Sequence, residues 1–243
     1  MSGNTKIGRA LPRNAIGFLP EYLDFKRGIR VGNLEDNRRI IRILKLAIED
    51  MFQESFVTER YGRGVYWQWI GFLSRANRAA KPVSSNASFG CSKFFITMDQ
   101  GEQLFKSGFS VERGFRKPPP DFPQCELKKD WDWHRLIKQL KPGSNLVREL
   151  NRLVKREGFC IDLGNWEERH IFRKNNLPDP STIGKFLKKA APDSWAGFQV
   201  YYSMNEGNVA NSSGTDLIES MLAVFREVTP AMNLCMQKEI QLR

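Results

Sequence analysis

Apolar and polar residues recur with two different periods along the chain, which predicts helices in some stretches and strands in others. After Asn33, apolar side chains return at three- and four-residue intervals between residues 40 and 52, as expected for one face of a helix. Residues 65–73 are instead rich in aromatic and β-branched side chains and lie between glycines, which is typical of a strand.

Two more strands are predicted to form a hairpin. Residues 93–98 and 104–113 both have strand-like composition, and the short segment 99–102 between them contains Gly101, which suits a tight turn. A connection this short joins neighbouring antiparallel strands, so we expect the two to pair directly.

The second half of the chain mixes helices and strands without regular alternation. Helical patterns cover residues 131–140, 146–156, 182–190 and 217–228, and strand patterns cover residues 159–163 and 198–204. Residues 164–180 and 205–214 are predicted as loops, and Thr229-Pro230 is predicted to start a new helix. An order without repeated strand–helix units favours an α+β fold, with an antiparallel or mixed sheet and helices packed mainly on one face.

The length of 243 residues favours one domain over residues 1–243, because a single hydrophobic core serves chains of about this size. The strongest internal boundary is the proline-rich stretch 117–123, which contains three successive prolines. Proline cannot donate to a sheet, so the β-rich region is expected to end there.

Short segments on both sides of this stretch occur in a fixed order: Phe72-Leu73-Ser74-Arg75 with Lys81-Pro82, the hairpin 94–101, Gly108-Phe109, Arg156-Glu157-Gly158-Phe159, and the strand 198–202 before a closing helix. In these segments the chain resembles a family of uncharacterised bacterial proteins. The resemblance implies an α+β architecture, and it implies no activity.

The charge is strongly positive, since 38 Lys and Arg stand against 27 Asp and Glu, for a net charge of +11. The excess lies before residue 193, and the remaining C-terminal part is acidic. A basic protein of this kind favours an anionic partner, of which nucleic acid, DNA or RNA, is the commonest. The acidic C-terminal helices leave open a protein-interaction module, with a protein partner or a second copy of the chain bound there.

The leading candidate surface is centred on residues 60–98, which contain no Asp or Glu and in which aromatic residues are interspersed with basic ones. Cations that contact phosphates and rings that stack on bases are the usual combination in proteins that bind single strands. The alternative is structural, because aromatics in strands are more often core and scattered arginines more often cover a solvated face. The candidates for phosphate contacts are Arg63, Arg75, Arg78 and Lys81, and the candidates for stacking are Tyr66, Trp67 and Trp69.

An enzyme, most plausibly a metal-dependent nuclease, is the second hypothesis. Asp121 followed by Glu126 and Lys128 is similar to a motif in which two carboxylates hold Mg²⁺ and a lysine activates water. In that motif the first acid and the Glu-x-Lys triplet lie on separate adjacent strands. Here only four residues, one of them a proline, separate Asp121 from Glu126, which leaves no room for a turn between strands, so the spacing argues against the motif. Mg²⁺ is expected only if this hypothesis holds.

No other cofactor or metal site is indicated, because the two histidines and four cysteines lack the spacings of zinc or redox motifs. We therefore expect the cysteines to be reduced thiols. The chain has no apolar run of membrane-spanning length and no secretory signal pattern in its first 19 residues, so a cytoplasmic protein without membrane contact is expected.

Overall fold

A computed structural model describes residues 17–81, 90–113, 117, 120–121, 123–165, 168–191 and 196–241. Within these ranges the chain forms nine strands and seven α-helices. The strands are β1 Leu23–Asp24, β2 Gly28–Arg30, β3 Phe56–Arg63, β4 Tyr66–Ser74, β5 Ser92–Asp99, β6 Leu104–Glu112, β7 Cys160–Asn165, β8 Arg169–Phe172 and β9 Ala196–Asn205. The helices are α1 Ile40–Phe52, α2 Arg75–Ala79, α3 Asp132–Gln139, α4 Asn145–Lys155, α5 Pro180–Lys189, α6 Glu206–Ala210 and α7 Gly214–Asn233.

All nine strands belong to one sheet, and every pair in it is antiparallel. The order is β1-β2-β4-β5-β6-β9-β7-β8, and β3 pairs with β4 as well. The last strand in the sequence, β9, therefore lies between β6 and β7, and it pairs with both along most of its length. The predicted α+β class is confirmed, and the sheet is antiparallel.

The predicted hairpin is also confirmed, since β5 and β6 pair from Ser92 opposite Val111 to Asp99 opposite Leu104. The strands on either side of the proline-rich stretch join the same sheet, because β6 pairs with β9. One hydrophobic cluster contains buried residues from Phe18 to Ile240. Residues 82–89, within the candidate surface, and residues 118, 119 and 122 of the stretch 117–123 lie outside the described residues.

The helices pack on one face of the sheet and form the main core there. Alternate residues of β5, such as Phe94 and Ile96, belong to this core because successive side chains of a strand point to opposite faces. The ring of Phe94 stacks on Phe225 of α7 at 4.9 Å and on Phe52 of α1 at 5.6 Å between centroids. Helices packed mainly on one face were predicted, and this arrangement agrees.

Polar caps fix where several of these helices begin. Ser144 accepts a hydrogen bond from the backbone N–H of Val147 at the start of α4. At α7, Ser213 and Asp216 form a reciprocal capping box. The cap of α5 is Asp179, whose side chain accepts from the backbone N–H groups of Ser181 and Thr182.

Three predictions in the second half are wrong. The segment predicted as a loop over 164–180 contains β8, and the one over 205–214 contains α6. Helix α7 continues through Pro230 without a new start. The hydroxyl of Thr229 donates to the carbonyl of Phe225 inside this helix at 2.6 Å, which adds a bond just before the proline.

The opposite face of the sheet, called the open face below, carries mainly polar, charged and aromatic side chains, and no helix packs on it in the part of the chain described. A small second cluster of Phe95, Cys160 and Tyr201, with Trp69 against it, lies on this face. None of the described helices is both long and apolar enough to cross a membrane.

Candidate nucleic-acid interface

A one-residue bulge in β4 decides which of the candidate aromatic residues lie on the open face. Tyr61 of β3 is opposite Trp69, but Gly62 is opposite Trp67, so Gln68 is an extra residue in β4. An extra residue reverses the alternation of side chains. Trp67 therefore packs against the helix-side core, while Trp69 packs against the small cluster on the open face.

Gly62 is the residue that permits this bulge. Its φ of +144° lies in the region that side chains rarely adopt, and a Cβ there would be 2.6 Å from the Cα of Trp67. The bulge places Tyr66 on the open face with Trp69, although the two are three residues apart and simple alternation would separate them.

The indole of Trp69 lies flat on the sheet. A Cβ on Gly71 would be 2.3 Å from an atom of that ring, so the indole covers bare backbone. The indole also stacks with the ring of Phe95 on the neighbouring strand β5, with 6.4 Å between the ring centroids and 14° between the ring planes. Trp69 is half-buried, so part of its ring faces outward on the open face.

Tyr61 and Arg63 are the exposed members of the same region, and 73% of Tyr61 is exposed. Arg63 is opposite Tyr66 in the sheet. The guanidinium of Arg27 lies 4.4 Å from the centre of the Tyr66 ring and is held by Asp24 at 2.5 Å. We call Arg27, Tyr61, Arg63, Tyr66 and Trp69 the aromatic strip.

Trp67 lies outside the strip because it points to the helix side. There the guanidinium of Arg60 lies 4.3 Å from its ring centre. A stacking role for Trp67 alongside Tyr66 and Trp69 therefore does not fit this structure.

Arg75 and Arg78 lie on α2, which follows the other end of β4. The nine residues from Tyr66 to Ser74 span roughly 25 Å at strand geometry, so these two arginines are far from the strip. Helix α2 is capped by Ser74, whose side chain accepts from the backbone of Asn77.

Lys81 cannot contact a phosphate in this structure because it is buried. Its ammonium is 3.0 Å from Asp132 and donates to the side chain of Asn77 at 2.9 Å. Asp132 in turn accepts from the backbone N–H of Ser92 and of Gln237. The prediction that Lys81 binds phosphate is corrected: it belongs to a buried network that joins α2, β5, α3 and the C-terminal segment.

Two lysines on the open face are buried and paired with acids. The ammonium of Lys93 lies 2.8 Å from Glu59 and 2.9 Å from Glu112. Burial by itself would lower the pKa of Lys93, but the two carboxylates together raise it above its usual value. Lys93 therefore stays charged and offsets part of the negative charge of the two acids that border the strip.

Lys106 forms the second such group, with Asp99 at 2.7 Å and with Glu102. Its ammonium also lies 4.6 Å from the ring centre of Tyr201. Burial would raise the pKa of Asp99, but hydrogen bonds from Lys106, the Glu102 backbone and Arg169 hold it well below the usual range.

Arg169 of β8 joins this group, and sequence reasoning missed it. Its guanidinium contacts Asp162 at 2.6 Å, Asp99 at 2.9 Å and Glu102 at 3.2 Å. The hydrogen bond to Asp162 is the main reason that the pKa of Arg169 is raised. The available signal was weak, because the strand has only four residues, Arg169–Phe172, and these do not alternate between polar and apolar.

A cavity of about 330 Å³ opens on the open face beside these groups. Trp69 and Thr97 line it from β4 and β5, and Gln199 lines it from β9. Asp162 and Arg169 line it from β7 and β8. It is therefore continuous with the aromatic strip through Trp69.

The nuclease candidates lie elsewhere, Asp121 within the proline-rich stretch and Glu126 and Lys128 just after it. Asp121, Glu126 and Lys128 are all exposed, and Lys128 lies 3.9 Å from Glu126. No group of three or more His, Cys, Asp or Glu that could hold a metal occurs among the residues described. The three cysteines with described side chains, Cys91, Cys160 and Cys235, are buried and free, and burial raises the pKa of Cys91 to about 12.

No protein-family model matches the chain, and a comparison with curated proteins finds no match. The resemblance to the uncharacterised bacterial family therefore stays a prediction.

Proposed function

We propose that this protein binds single-stranded nucleic acid on the open face of its sheet, with the aromatic strip as the contact surface. The observation that carries the proposal is the bulge at Gln68, which brings Tyr66 and Trp69 to one face beside exposed Tyr61. Rings on a sheet stack on bases of an unpaired strand, and arginine planes do the same.

The charges of the strip fit an anionic strand. Arg27 and Arg63 are exposed at its edge, whereas Glu59 and Glu112 are turned toward buried Lys93. Lys93 thus offsets part of the negative charge of these acids, and Arg63 is exposed to phosphates, whereas Arg27 is already paired with Asp24. Because the cysteines with described side chains are free thiols, we expect this binding to take place in the cytoplasm.

The first experiment is a titration of the protein into labelled single-stranded and duplex oligonucleotides at several salt concentrations with Mg²⁺ present. We expect the single strand to bind more tightly, with log affinity falling linearly in log salt. Absence of binding to any oligonucleotide at low salt would overturn the proposal.

Two variants separate stacking from phosphate contact. Tyr61→Ala should weaken single-strand binding by about 5- to 150-fold, the equivalent of one stacked base, and leave the salt slope unchanged. Arg63→Ala should make the salt slope shallower by about 0.7, the value for one phosphate contact on a single strand.

The matched control is the double variant Arg75→Ala and Arg78→Ala. It removes exposed Arg75 and half-buried Arg78, both of which lie far from the strip. We expect its affinity to stay within about twofold of the wild type, since charges beyond a Debye length of about 10 Å are screened at 0.1 M salt. A larger loss in the control than in Arg63→Ala would move the interface to α2. Lys81 is left intact, because its replacement would break a buried ion pair.

The same samples on a denaturing gel test the nuclease hypothesis. Shortened strands that require Mg²⁺ and disappear in Glu126→Ala would support it, and intact strands would leave binding as the activity.

A further inference from the structure

We propose that the cavity beside Trp69 receives one unpaired base of the bound strand. This inference rests on the proposed function, because it assigns to the cavity the base that follows those stacked on the strip. The volume of about 330 Å³ is at the lower end of the roughly 300–1,000 Å³ typical of small-ligand sites, so one ring system fits.

The charges that line the cavity are balanced, which argues for a neutral ligand. Two cations, Lys106 and Arg169, face two carboxylates, Asp99 and Asp162, and the four are already paired with one another. A phosphate or a metal ion would have to displace one of these pairs. A base is neutral and polar, and it leaves the pairs intact.

Gln199 supplies the group that can recognise a base edge. It lies on β9 opposite Asp162 of β7 and opposite Ser110 of β6, at the lining of the cavity. Its side-chain amide makes no hydrogen bond within the part of the chain that the structure describes. An amide offers both a donor and an acceptor, which can complement the hydrogen-bonding edge of every base once pairing is lost.

Trp69 supplies the stacking surface. Its indole is fixed by contact with Phe95 and by the bare backbone of Gly71, so it is already in place before a ligand arrives. A fixed ring costs little side-chain entropy on binding. The cavity thus combines one flat apolar wall with one polar edge reader.

The test uses a single-stranded oligonucleotide that binds the wild-type protein and a set of copies in which each position in turn is abasic. We expect one position to show a loss of about tenfold or more beyond its neighbours. In Gln199→Ala that extra loss should become smaller by about threefold or more, because the variant keeps the Trp69 stack but no longer forms hydrogen bonds to the base edge. Ser203→Ala, on the same face of β9 but outside the cavity lining, is the matched control and should keep the full loss.

The outcomes separate this inference from the function on which it rests. Equal losses at all abasic positions, or an extra loss that persists in both Gln199→Ala and Trp69→Leu, would overturn the cavity assignment while binding itself stands. If no oligonucleotide binds the wild type, the proposed function fails first. Thermal unfolding of each variant establishes that the comparison is made between folded proteins.

Discussion

The two faces of the central sheet are built from neighbouring residues of the same strands, yet they are filled in opposite ways. On the helix side of β5, Phe94 packs among aromatic rings from α1, β3 and α7. One residue earlier, Lys93 is equally buried on the open face and is held between two carboxylates. Buried ion pairs add little net stability compared with apolar packing. We therefore expect the helix face to contribute most of the stability, and the buried charges of the open face fit the proposed binding role.

The largest expected effect is on the helix face. Phe94→Ala should lower the free energy of unfolding by about 3–5 kcal/mol, because it removes a ring at the centre of the core and leaves a cavity. Denaturant unfolding at pH 7 measures this. Tyr61→Ala, an aromatic deletion at an exposed site of the open face, should change it by less than about 0.5 kcal/mol. If Phe94→Ala and Tyr61→Ala lowered the free energy of unfolding by similar amounts, the expected difference in stability between the two faces would be contradicted.

The second effect concerns the buried cation of the open face. Lys93→Met should cost about 2–3 kcal/mol at pH 7, below the usual cost of breaking a buried pair because Glu59 and Glu112 retain some contact with water. The loss should shrink toward pH 5. Without the ammonium, the two facing carboxylates bind protons more readily when folded than when unfolded, so stability rises as the pH falls.

The control for this experiment is Lys45→Met on α1, where the lysine pairs with Glu49 at the surface at 3.8 Å. A surface pair of this kind contributes less than about 0.5 kcal/mol. If the loss in Lys93→Met were the same at pH 7 and pH 5, the two carboxylates would not be responsible for it.

The smallest effect is a pH dependence from Asp99. Its pKa is lowered in the folded protein, so the stability that it contributes is present above its unfolded pKa of about 3.9 and is lost as the pH falls through that range and below. Asp99→Asn should therefore be less stable than the wild type at pH 6, with the difference shrinking toward pH 3. The urea midpoint of unfolding, measured for both proteins across this pH range, tests the effect. If the midpoints of the wild type and of Asp99→Asn fell in parallel as the pH is lowered, the prediction would be contradicted.

Strong periodicity made much of the fold predictable. The helix α1, the hairpin β5–β6 and the strand β9 each carry patterns long enough to identify. Strand β8 has four residues, and only its pairing with β7 makes it a strand. Pro230 suggests a break, but the surrounding packing of α7 keeps the helix continuous.

The candidate site was harder to predict because its key contacts are long-range. The aromatic residues Tyr66 and Trp69 indicated an aromatic surface in the sequence. A bulge leaves no mark in the local composition, so the sequence could not predict that Trp67 lies on the other face of the sheet. From the sequence, a lysine such as Lys81 is expected to be exposed to solvent. Its burial depends on an ion pair with Asp132, which is about fifty residues away along the chain. The pairing of Arg169 with Asp99 likewise joins residues seventy positions apart.

The position of β9 between β6 and β7 has a consequence for how the chain is made. During synthesis, β6 is complete by residue 112 and β7 by residue 165, but neither has its shared neighbour until residue 205 has been added. Until then β6 presents an unpaired edge, and the β7–β8 hairpin has no sheet to join. Nascent chains are thus expected to depend on chaperones that shield strand edges, and the cavity, which needs β5, β7, β8 and β9 together, forms only in the last stage of folding.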